Sequence, residues 1–144
     1  MHVVIFLLCY NNSGKRKVVI CMYSRNEVVK MVIGQGQNIL TCAKELEQIT
    51  KKTGKKRSDL FERYCANQHS FNVHTYMNPS IENLMEVQFF QRKVALFGAV
   101  FVGTRTNYEA VVDVQQARST YEDLVSALHE MTNTLMLLET PSEK

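Results

Sequence analysis

The sequence predicts an α+β fold: a small N-terminal antiparallel sheet of about three strands, followed by four helices, the last two forming a long antiparallel hairpin. Three observations carry this expectation. Residues 3–33 hold three short apolar runs rich in branched side chains, the first two separated by turn residues. Residues 78–139 hold two long stretches whose apolar residues recur every three or four positions. No Pro/Gly-rich linker, low-complexity tract or repeat divides the 144 residues. One domain over 1–144 is therefore expected, with a β-meander at 1–36, a helical region at 37–139 and a short tail at 140–144.

Residues 3–9 read as a buried strand, and residues 11–16 as a turn. Residues 18–23 match the first strand in length, which predicts a hairpin. Residues 28–33 read as a third strand, ended by Gly34, Gln35 and Gly36. Asn38 is placed as the cap of the first helix, with Ile39, Cys42, Ala43, Leu46 and Ile49 on its apolar side and Gly54 as its stop. Ser58 is read as the cap of a short second helix carrying Leu60, Phe61, Tyr64 and Cys65. Residues 67–78 read as polar and irregular, with a short extended piece at 72–77.

Asn78 and Pro79 open the third helix. Its main seam is Ile81, Leu84, Val87, Phe90, Val94, Phe97 and Phe101. Met85, Phe89, Leu96 and Val100 form a second seam, which predicts a central helix with more than one covered face. The helix is expected over 80–93. Residues 94–102 are strand-like in composition and contain Gly98, so a strand competes there.

The last helix is expected over 106–139. Thr106 and Glu109 have the spacing of a capping box, and Pro141 bars continuation. Its apolar seam is Ala110, Val114, Ala117, Tyr121, Leu124, Leu128, Met131, Leu135 and Leu138, in unbroken steps of four and three. The flanks at Val111, Val125 and Ala127 are apolar, which widens the stripe to that of a packed bundle rather than a free coiled coil. At about 1.5 Å per residue such a helix spans about 50 Å, long for a small domain, so part of the seam is expected to meet a partner.

The net charge of +3 conceals one concentrated patch. Lys51, Lys52, Lys55, Lys56 and Arg57 fall within seven residues, and the rest of the chain has 12 basic against 14 acidic residues. Such a run attracts phosphate backbones or other polyanions by releasing their counterions, and equally resembles a nuclear-import signal. No aromatic residue lies among the lysines to stack on bases.

Other chemistries are less well provided. Gly34, Gln35 and Gly36 match only the first part of a dinucleotide fingerprint, since Ile39 stands where the third glycine belongs. Cys65, His69 and His74 fall short of four zinc ligands. The acids are scattered singly, and neither a nucleophile elbow nor a P-loop is present. The expectation is a non-enzymatic protein with no cofactor and no metal.

Four cysteines, Cys9, Cys21, Cys42 and Cys65, are widely spaced without a C-x-x-C pair, which favours a reducing cytoplasmic or nuclear setting. The apolar start lacks a basic leader and a small-residue cleavage site, so the Asn11-Asn12-Ser13 sequon is not expected to matter. No apolar run reaches the roughly 20 residues of a membrane span.

Two functions remain. The first is an interaction or assembly module that binds a protein partner or self-associates through the C-terminal helices, with Val114, Tyr121, Leu124, Leu128, Met131 and Leu135 as its seam. The alternative is a nucleic-acid- or polyanion-binding protein using Lys51, Lys52, Lys55, Lys56 and Arg57.

Overall fold

The computed structural model describes residues 2–10, 16–102 and 112–138, with backbone only for 2–10 and 16–23. The α+β expectation is overturned: the body is helical. Between residues 25 and 138 the described chain holds five helices and no strand. They are α1 (Arg25–Thr53), α2 (Ser58–Tyr76), the single turn α3 (Pro79–Glu82), α4 (Met85–Val102) and α5 (Val114–Met136). Ahead of them, β1 (His2–Tyr10) pairs antiparallel with β2 (Arg16–Ser24) as a two-stranded ribbon. The expected third strand does not exist, because residues 28–33 lie inside α1.

The helix α1 begins at Arg25, thirteen residues before the expected cap at Asn38. Ser24 caps it, its hydroxyl accepting from the Glu27 amide at 3.2 Å. The run of valines that read as a strand supplies Val28, Val29 and Val32 to a helical seam that continues through Gly36, Ile39, Ala43 and Leu46. Gly54, at φ 68°, closes the helix in the left-handed conformation, and its amide donates to Thr50 O at 2.7 Å.

The helix α2 runs to Tyr76 and absorbs the stretch expected to be irregular, because Phe71 and Thr75 continue the buried side begun by Leu60 and Tyr64. Ser58 is its first helical residue rather than its cap. The helix α4 is helical throughout, so the competing strand at 94–102 is not formed. Val94, Phe97 and Phe101 extend the spacing of Val87 and Phe90 without a slip, and all five are buried.

The last helix is shorter than expected. It starts at Val114, with Asp113 as its cap, the carboxylate accepting from Gln115 N at 3.0 Å and Gln116 N at 3.1 Å. Thr106, Glu109, Ala110 and Val111 lie outside the described residues. Replacing Asp113 by Ala is expected to cost about 1 kcal/mol of unfolding free energy, and Asp113→Asn much less, as read by urea titration. Equal losses for the two variants would show that the cap is not the cause.

The four long helices form a ring of antiparallel neighbours, an up-down-up-down bundle. On α1 and α2, Gln35 meets His74 and Cys42 meets Asn67. On α2 and α4, Tyr64 meets Phe97 and Phe71 meets Phe90. Phe97 of α4 touches Tyr121 of α5, and residues 85–92 lie beside Glu130. The α5–α1 contact closes the ring, with Gly36 under Leu128 and Met131 and Glu47 beside Arg118.

The core is aromatic at its centre. Phe61, Tyr64, Phe97 and Phe101 form a chain of rings with centroids 5.0–6.4 Å apart. Tyr64 is fully buried, and its hydroxyl donates to Val94 O at 2.6 Å. Burial, and then the neighbouring Cys65 and Cys42 thiols, push its phenol far above the ordinary tyrosine range.

Candidate functional site

The structure separates the two sequence-expected sites and changes the standing of each. The α5 seam faces inward. Leu124, Met131 and Leu135 are fully buried, Leu128 is nearly so, and Val114 and Tyr121 are half-buried. These residues pack against α1 and α4 of the same chain, so the seam builds the bundle.

The basic run is ordered by several local contacts. Thr53 Oγ1 donates to Ile49 O at 2.8 Å and accepts from Lys55 N at 3.2 Å. The Val112 amide donates to Gly54 O at 3.0 Å, tying the loop to the approach of α5. Lys51 and Lys52 lie in the last turn of α1, where cations complement the helix dipole. Lys56 Nζ sits over the Phe61 ring, 4.8 Å from its centroid. Arg57 Nε bonds Asp59 Oδ1 at 2.9 Å. Burial opposes ionisation of Asp59, but Arg57 and the amides of Leu60 and Asp59 outweigh it and hold the carboxyl below its ordinary value. Lys51, Lys52, Lys55 and Arg57 remain exposed.

One cation near this end was not legible in the linear sequence. Arg118 of α5 joins Lys51 along a shallow cleft of about 340 Å³ that also touches Glu47 and Glu122. Arg118 Nε bonds Glu122 at 3.0 Å, and Nη1 stands 3.7 Å from Glu47 Oε1. That oxygen is buried without a hydrogen-bond partner, so the guanidinium answers its charge from just beyond bonding distance. Arg118 is therefore held by two carboxylates rather than offered to an anion.

Gly34, Gln35 and Gly36 lie in the interior of α1, so no strand-to-helix turn exists there for a pyrophosphate. His74 Nδ1 is shared between Ser70 O at 2.8 Å and Gln35 Nε2 at 3.0 Å. No group of three His, Cys, Asp or Glu among the described residues is placed to hold a metal. No described helix is long and apolar enough to cross a membrane.

The outer face of α4 is the surface the sequence reading misplaced. The second apolar seam, expected to be covered, is in large part open to solvent. Met85 is 79% exposed, Leu96 47% and Phe89 39%, and Val102 beyond them is 61% exposed. The main seam of α4 is used by the core, and Val100 of the second seam is half-buried against it, so the open part of that second side runs from Met85 to Leu96. Met85, Glu86, Phe89 and Arg92 line a groove of about 280 Å³ with Gln88 and with Glu130 of α5. Lys93 Nζ lies over Phe89, 4.9 Å from the ring centroid.

Compared with protein-family models, with curated proteins and with solved structures, the chain gives no significant match.

Proposed function

We propose that the chain is a non-enzymatic protein-interaction module that docks through the outer face of α4. The observation that carries this reading is the row Met85, Phe89 and Leu96, one exposed apolar line along an otherwise amphipathic helix. The sequence placed the interaction on the same C-terminal pair of helices but on their inner seam. That seam is occupied by the core, and the outer line supplies the unpartnered surface instead. The unpaired thiols of Cys42 and Cys65 support a cytoplasmic or nuclear setting.

Polyanion binding at the basic loop draws less support. Arg57 and Arg118 are engaged by carboxylates and Lys56 by a ring, which leaves Lys51 and Lys52 as the best-placed cations.

A photo-crosslinking residue placed at position 89 or 96 of the full chain in cells tests the docking face. Covalent protein adducts are expected at both positions and not at Glu45, which is exposed on α1. Adducts at position 45 equal to those at 89 and 96 would remove the reading. Phe89→Glu combined with Leu96→Glu is expected to keep the circular dichroism spectrum, because surface changes of this kind cost only about 0.5 kcal/mol.

A further inference from the structure

We propose that the partner on this face is a second copy of the chain, with the two α4 helices packed antiparallel across a two-fold axis at Phe89. The inference rests on the docking reading above and names its occupant.

The argument is the order of charge around Phe89. Glu86 lies three residues before it and Arg92 three residues after, and all three line the same groove. An antiparallel two-fold axis at position 89 sets residue 86 of one copy opposite residue 92 of the other, twice over. Both Glu86–Arg92 pairs are then formed by symmetry. The same axis sets Met85 against position 93, where the methylene stem of Lys93 provides apolar cover. A parallel arrangement would instead bring Glu86 to Glu86 and Arg92 to Arg92. Among the described residues, neither Glu86 nor Arg92 makes an ion pair within its own chain. The groove is thus self-complementary in one orientation only, with an aromatic ring at the centre and opposite charges at equal distances on either side.

The expected association is reversible. An 18-residue helix offers a face about 27 Å long. At a helix diameter of about 10 Å this face covers about 270 Å², less than the roughly 800 Å² per partner of a standard stable interface, so a dissociation constant on the order of micromolar is expected.

Sedimentation velocity on the full chain over a wide concentration range decides the matter. The wild type should shift from monomer to dimer as concentration rises, and less readily at high salt. Glu86→Arg alone and Arg92→Glu alone each create two like-charge contacts and should weaken dimerisation at least tenfold. Mixing these two variants should restore a dimer containing one of each, since every cross pair is then opposite in sign. The double variant Glu86→Arg/Arg92→Glu should dimerise with itself. A wild type that stays monomeric, or a mixture that does not restore the dimer, overturns the proposal. Crosslinked adducts at position 89 to a different protein would do so too while leaving the docking face intact.

Discussion

Tyr64→Ala is expected to lower the unfolding free energy by about 3–5 kcal/mol, the range for deleting a large buried aromatic. Against a total of about 5–15 kcal/mol for an ordinary domain, this loss brings the bundle close to unfolding. Tyr64 is fully buried between α2 and α4, where its ring meets Phe61 and Phe97 and its hydroxyl bonds Val94 O. Tyr64→Phe keeps the rings in contact and removes only the hydrogen bond, so about 0.5–1.5 kcal/mol is expected. Urea titration followed by helical circular dichroism measures both. If the two variants lose equally, the ring packing is not what holds α2 to α4.

The same residue imposes a pH dependence with a definite sign. Burial raises the folded-state phenol above its unfolded value of about 10, so the fold favours the protonated form. Its contribution is complete below pH of about 10 and declines as pH rises beyond that, because unfolding then releases a proton. In Tyr64→Phe this part of the alkaline loss should disappear. Identical alkaline profiles for the two proteins would contradict the assignment.

Gly36→Leu is the second large effect, an expected loss of about 3 kcal/mol at the upper end of overpacking costs. Even a Cβ at position 36 would stand 2.9 Å from Leu128 Cδ1 and 3.1 Å from Met131 Cε. A leucine must displace both side chains and push α5 away from α1. Gly34 is the internal control, two residues away in the same helix, with nothing within 4 Å of its added Cβ. Gly34→Ala should gain about 0.5–1 kcal/mol from helix propensity alone. Thermal unfolding separates the two positions, and a Gly36→Leu protein as stable as wild type would refute the close approach of α1 and α5.

These glycines also mark where the sequence misled. Gly34 and Gly36 beside a β-branched run read as a strand and its turn, and that error added a third strand to the expected sheet and delayed the start of the first helix. The helical signal was present, however. Ser24 and Glu27 have capping-box spacing, and Val28, Val32, Ile39, Ala43 and Leu46 keep a helical period once Gly36 is allowed a seam position. A glycine in that position records a neighbour too close for a side chain, and no local reading supplies the neighbour. The inward seams of α4 and α5 were legible because their spacing is unbroken. The start of α5 was not, since the apolar seam continues ahead of Val114 to Ala110 while the structure caps the helix at Asp113.

The candidate site was harder to read for a different reason. Met85, Phe89 and Leu96 are apolar and helically spaced, which is equally true of a covered face. Whether they are covered depends on how many helices the bundle has and which sides those helices occupy. Arg118 and Glu47 are 71 positions apart and meet only because α5 lies beside α1. By contrast, the basic run was visible at once, but the contacts that engage Lys56, Arg57 and Arg118 belong to the fold.

The bond from the Val112 amide to Gly54 O has a consequence for assembly order. The pairs α1–α2, α2–α4 and α4–α5 join helices close in sequence, and each can zip as a local hairpin. The α1–α5 pair closes the ring and has the greatest loop to close, so its entropic cost is highest and its contacts come late. The Val112–Gly54 bond lies at that closing seam and involves only backbone atoms. It therefore acts as a latch on the finished circle, engaging whatever side chains the two helices carry and marking the step at which a string of hairpins becomes a bundle.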